Sequence, residues 1–120
     1  MKLMIKRAGE LKKEVIQGLK GGKGELELVH FLEVDKNEFN GKGRLFGKIT
    51  LKPGDSIGFH KHEGDAETYY ILSGEGIVDD NGTKTKVKAG DLIYTPNGES
   101  HSIENTGDVD LEFIALILYV

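Results

Sequence analysis

Glycine limits what this chain can build. Seventeen of its 120 residues are glycine, and they punctuate short apolar runs. Turn signals recurring about every 8–12 residues predict an all-β sandwich or barrel. Asn81-Gly82, between GIVDD and TKTKV, is the strongest hairpin signal. Pro53-Gly54 suits the centre of a type II turn, and Pro96-Asn97-Gly98 marks another tight turn. Between these turns the expected strands are Glu25–Val34, Arg44–Leu51, Ser56–His62, Thr68–Ser73, Gly76–Asp79, Lys84–Lys88, Leu92–Thr95, His101–Asn105 and Leu111–Tyr119. In ELELVHFLEV, Leu26, Leu28, His30, Leu32 and Val34 share one face, so His30 is expected to be a hydrogen-bonded core or interface histidine. The last run is apolar on both faces, as in a strand covered on both sides, and a partner subunit is one such cover. Residues 8–19 read two ways. Leu11, Val15 and Leu19 recur at helical spacing, whereas Gly9 and Gly18 favour a short edge strand over EVIQG.

A chain of 120 residues suits one compact domain, here a basic N-terminal arm, 1–24, followed by a barrel, 25–120. The arm carries +5 of formal charge and the remainder −9, for a net charge of −4. It is expected to lie in solvent or across an acidic body, its own or a neighbour's. The net charge argues against nucleic-acid binding. The absence of cysteine excludes disulfides, thiolate metal sites and cysteine nucleophiles. MKLMIKRAGE lacks the apolar core of a signal peptide, and FIALILYV is far shorter than the roughly 18 residues of a membrane span, so the expected location is cytoplasmic.

Histidine is scarce, four in all, yet two stand one residue apart in GFHKHEGDAETYYILSGEG, residues 58–76. Residues i and i+2 of a strand share a face, so His60 and His62 look one way and Phe59 and Lys61 the other. Two imidazoles converging on one point imply a metal. The stretch belongs to two spaced blocks. The first runs Gly54, five residues, His60, one, His62, four, Glu67, six, Gly74; the second runs Gly90, five, Pro96, one, Gly98, two, His101, three, Asn105.

On these ten fixed positions, spread over residues 54–105, the chain resembles the cupin superfamily, whose two motifs are matched throughout. It is similar to small prokaryotic single-domain members, which look like one half of oxalate decarboxylase. The resemblance implies a double-stranded β-helix, a jelly-roll barrel, with at most a short N-terminal helical turn. It also implies a divalent transition metal held by His60, His62, Glu67 and His101. Mn, Fe, Ni and Zn all suit three imidazoles and a carboxylate, with Mn or Fe favoured. Four protein ligands leave a six-coordinate ion two open positions. By alternation Tyr69 and Ile71 share a strand face with Glu67 and are expected to line the lumen.

Two functions follow. One is a metal-dependent enzyme acting on a small oxygen-rich carboxylate or sugar derivative, by dioxygenase-, decarboxylase- or isomerase-type chemistry. The other is a non-catalytic module in which the metal anchors a small ligand. The lid-loop acid of oxalate decarboxylases has no match. Glu63, Asp65 and Glu99 are the acids expected near the mouth. Family resemblance, the apolar last strand and the basic arm imply a homodimer, with exchange of the N-terminal strand as one way to build it.

Overall fold

The alternating runs become strands, except that the run expected over Glu25–Val34 ends at Leu32, after a register shift past His30, and Val34 enters a 3₁₀ turn with its side chain exposed. The computed structural model describes residues 3–120; Met1 and Lys2, the start of the basic arm, lie outside the described residues. Ten strands form among the described residues: β1 (Lys12–Gln17), β2 (Glu25–Leu32), β3 (Gly43–Leu51), β4 (Ser56–Lys61), β5 (Asp65–Ser73), β6 (Glu75–Asp80), β7 (Thr83–Lys88), β8 (Leu92–Thr95), β9 (Ser100–Asn105) and β10 (Leu111–Tyr119). They make two antiparallel sheets, β1-β2-β3-β10-β5-β8 and β4-β9-β6-β7. Asn81 and Gly82 both have positive φ, 50° and 102°, the mirror-image turn that joins β6 to β7. Among the described residues helix is confined to 3₁₀ turns at Ala8–Glu10, Leu19–Gly21 and Val34–Lys36. Among the described residues no helix is long and apolar enough to cross a membrane.

The 8–19 segment resolves as the edge strand. β1 pairs with β2 of the same chain, Lys12 opposite His30 and Gln17 opposite Glu25. Val15, which a helix would turn inward, is 61% exposed. Gly18, left-handed at φ 59°, ends the strand in a turn. His30 is half-buried and bonds through Nε2 to the Glu14 carboxylate on β1.

The two sheets face each other across one core. Leu26 and Leu28 from β2, Ile49 and Leu51 from β3, Ile57 from β4, Ile71 from β5, Ile103 from β9 and Phe113 from β10 meet there. Burying each such side chain contributes about 1.5–3 kcal/mol. Asn105, which closes the second block, is wholly buried. Its amide donates to the carbonyls of Leu51 and Val109, both at 2.8 Å, and its side-chain oxygen accepts from Gly107 N–H at 2.9 Å. It ties the end of β3 to the loop between β9 and β10.

Candidate metal centre

Strand parity at β4 sets the site. Ile57 lies opposite Ile103 and His60 opposite His101, so β4 carries one residue more than β9 between those pairs. This bulge, at Gly58-Phe59, restores His60 to the face that Ile57 already occupies. Without it simple alternation would send His60 outward. His62 follows the end of β4, and its backbone is clasped by the Pro96–Glu99 turn: His62 N–H donates to Glu99 O at 2.9 Å and Gly98 N–H to His62 O at 2.7 Å. The turn of the second block thus fixes a histidine of the first. Glu67 comes from β5, which starts at Asp65 and lies in the other sheet, so the chain crosses between sheets instead of returning on a bonded neighbour.

His60, His62, Glu67 and His101 converge, each offering one ligand atom, with all four atoms within 4.8 Å of one another. His62 Nε2 lies 3.0 Å from His101 Nε2 and 3.1 Å from Glu67 Oε1. His101 Nε2 lies 3.2 Å from His60 Nε2 and 3.2 Å from Glu67 Oε1. These are spacings of neighbouring ligands around an ion bound at about 2.0–2.1 Å.

The outer nitrogen of each ring is held. His60 Nδ1 donates to the Gly58 carbonyl at 2.7 Å and His62 Nδ1 to Asp65 Oδ1 at 2.7 Å; His101 Nδ1 meets Thr95 Oγ1 at 2.8 Å. A proton at Nδ1 leaves the Nε2 lone pair facing inward. Three imidazole nitrogens and a carboxylate oxygen crowd together there, and only a proton held on an inward nitrogen or a cation relieves them. That donor set fits a divalent cation, which removes the mutual repulsion.

Electrostatics follow the same geometry. Burial alone would push Glu67 up, but hydrogen bonds from His101 and His62 outweigh it and hold the carboxyl below its usual range. The Glu67 hydrogen bond, opposed by burial and aided by Asp65, raises His62. Burial lowers His60 despite the Gly58 carbonyl. Asp65, which burial would raise, is held low by hydrogen bonds from His62 and Arg44.

A cavity of about 100 Å³ opens onto His60, His62 and Glu67. Tyr69 lines it, stacks on His101 with ring centroids 5.2 Å apart, and has its hydroxyl pushed well up by burial and by the Glu67 charge. Ile71, one step further along the same face, is sealed in the core and does not line the cavity. A larger cleft of about 400 Å³, beside β7 and β8, touches only His101 of the four. Of the three candidate mouth acids, Glu63 and Glu99 are exposed, and buried Asp65 is engaged by His62 and Arg44. The supporting roles of Asp65, Thr95 and Arg44 carry no motif signal; of the three only Asp65 was singled out in the sequence, and as a mouth acid.

Comparison with known proteins agrees with this architecture. The Cupin domain family matches residues 47–117. The chain is 52% identical over 115 residues to a Thermotoga maritima protein named oxalate-binding protein, covering 96% of this chain and 93% of that one. A Thermotoga maritima crystal structure described as a predicted oxalate decarboxylase superposes with TM-score 0.87 at 50% identity, covering 98% of this chain and all of the other. A polyketide cyclase from Streptomyces resistomycificus superposes with TM-score 0.76 over 97% of this chain and 80% of its own, at 21% identity, a likeness of fold alone.

Proposed function

The chain belongs to the cupin family, and on that premise we propose that it holds one divalent transition metal, Mn or Fe in preference to Ni or Zn, through His60, His62, Glu67 and His101, and binds a small carboxylate there. The inward-facing acceptor cluster carries this reading. When bound, the metal supplies a Lewis-acid docking point for carboxylate oxygens. The protein residues do the rest. Gly58, Asp65 and Thr95 aim the imidazoles, Tyr69 walls the cavity, and the apolar lumen excludes water.

Cavity size selects between the two substrate classes. A cavity of about 100 Å³ with mostly apolar walls favours a carboxylate of a few heavy atoms over a substituted sugar. The relative named for oxalate binding supports the same class. Binding is favoured over turnover because, among the described residues, the only carboxylate lining the cavity is Glu67, assigned here to the metal, so no spare carboxyl stands ready to move a proton. The apolar outer face of β8, β5 and β10 serves in this reading as the contact of a homodimer.

The experiment is elemental analysis of protein purified without a metal-affinity tag, beside a His60→Ala/His62→Ala variant, followed by calorimetric titration with oxalate. One equivalent of Mn or Fe in the wild type, lost in the variant, and oxalate binding only by the loaded protein are the expected results. Oxygen uptake or carbon dioxide release on adding oxalate would replace binding by the enzymatic reading. No metal, even after reconstitution with excess ion, would overturn the proposal.

A further inference from the structure

Two cations line the same small cavity as His60, His62 and Glu67: Lys20 and Arg44. Neither belongs to a spaced block, and different backbone devices place them.

Lys20 lies in the Leu19–Gly21 turn with a left-handed backbone, φ 55° and ψ 29°, a conformation seldom held by a residue with a side chain. The turn is pressed onto β4. A Cβ on Gly58 would fall 1.9 Å from the Lys20 carbonyl oxygen, and one on Gly22 would fall 2.1 Å from the Ser56 carbonyl oxygen. Only glycine at both positions allows so close an approach. The contact lies two residues before His60, so the N-terminal turn closes one side of the lumen beside a metal ligand. Among the described residues no carboxylate pairs with the Lys20 ammonium.

Arg44 arrives by a bulge. Leu45 lies opposite Ile117 and Gly43 opposite Leu118, which leaves Arg44 as an extra residue in β3. Bulges re-aim side chains, and here Arg44 lines the lumen. Its Nε donates to Asp65 Oδ2 at 2.9 Å. That bond uses one edge of the guanidinium and leaves the terminal amino groups for a second acceptor. The other lining residues include Leu28, Leu45, Ile49 and Ile117, and Lys20 and Arg44, themselves exposed, are the cations at the rim of this mostly apolar cavity.

We infer that Lys20 and Arg44 form the second attachment point of the site, meeting the outward oxygens of a small dianion whose inward oxygens are held at the metal centre. The inference rests on the metal-centred reading above and names the residues that set its charge preference. A dicarboxylate satisfies both ends; a monocarboxylate satisfies one.

The test loads untagged wild type, Lys20→Gln, Arg44→Gln and Arg44→Lys with Mn(II), counts bound metal, and titrates each calorimetrically with oxalate and with formate. Lys20→Gln removes charge at similar length. It is expected to weaken oxalate binding about tenfold while metal content and formate affinity stay unchanged. Arg44→Gln is expected to do the same for oxalate, and Arg44→Lys to recover part of the loss. Unchanged oxalate affinity in both glutamine variants at full metal occupancy would overturn the inference and leave the metal reading standing. A wild type that takes up no metal would overturn both.

Discussion

At the scale of single residues, orientation matters as much as ligand identity. An imidazole can present either nitrogen, and the partner on the far side decides which. Asp65 makes that decision for His62 and is itself braced by Arg44. Asp65→Ala is therefore expected to cut metal affinity by about tenfold to a hundredfold, the usual cost of losing such support, while the four ligands remain. Thr95→Val, which removes the hydroxyl beside His101 Nδ1 at nearly constant volume, should act in the same direction. Competition against a chelator of known affinity reads both, and wild-type affinity in both variants would show that the rings need no such support. The four convergent residues were legible because fixed spacing and scarcity single out histidine. Asp65 and Thr95 were not, because a hydrogen bond to a ligand's outer nitrogen imposes no spacing of its own. Nor was the bulge at Gly58-Phe59: His60 and His62 share a face whether or not β4 is regular, so their alternation holds no record of the extra residue before them.

At the scale of elements, the N-terminal segment shows where pattern reading reaches its limit. Leu11, Val15 and Leu19 fit a helical period, yet the chain forms β1, because pairing with β2 satisfies its backbone while the glycines interrupt a helix. What tethers the residues before β1 is also non-local. Lys6 Nζ donates to the Phe31 carbonyl at 3.0 Å and pairs with Glu38 at 2.5 Å, so at least one charge of the basic arm lies on an acidic body of its own chain. The Lys6 hydrogen bond, with that from Glu33 N–H, holds Glu38 below its usual value of 4.5. A carboxylate held low in the folded protein stabilises it above the unfolded value and loses that contribution as pH falls through the folded one. The tether should thus be intact at neutral pH and release on acidification below 4.5. Amide exchange, corrected for intrinsic rates, should show residues 3–11 losing protection there before β10 does. Glu38→Gln should show the same loosening at pH 7. Equal protection of the segment in wild type and variant at pH 7 would mean that the ion pair does not hold it.

At the scale of the whole molecule, the barrel separates its buried lumen from a second, apolar surface. Inward residues of β5 and β10 build the lumen, with Glu67, Tyr69, Phe113 and Ala115 all buried. Their outward neighbours make a different surface. Tyr70 lies opposite both Leu92 and Ile114, so one apolar row crosses β8, β5 and β10, and beside it Thr68 stands between Tyr94 and Leu116. Tyr70, Leu72, Leu92, Tyr94, Leu118 and Tyr119 are 42–65% exposed. An apolar surface continuous over three strands is the kind that marks an interface, and a flat antiparallel face can meet its own copy about a two-fold axis. The apolar outer face of the last strand was legible in LEFIALILY; its continuation over Leu92 and Tyr94 was not, because it depends on β8 pairing with β5. Wild type is expected to run as two chains by light scattering, and Leu92→Glu/Tyr94→Glu as one, since burying two carboxylates without partners opposes association. Both side chains point away from Thr95 and the ligands, so the variant should keep its metal content. A wild type that is monomeric at tens of micromolar, or a variant that still dimerises, would move the contact off this face and turn attention to β1, whose outer edge is the other open strand of the same sheet.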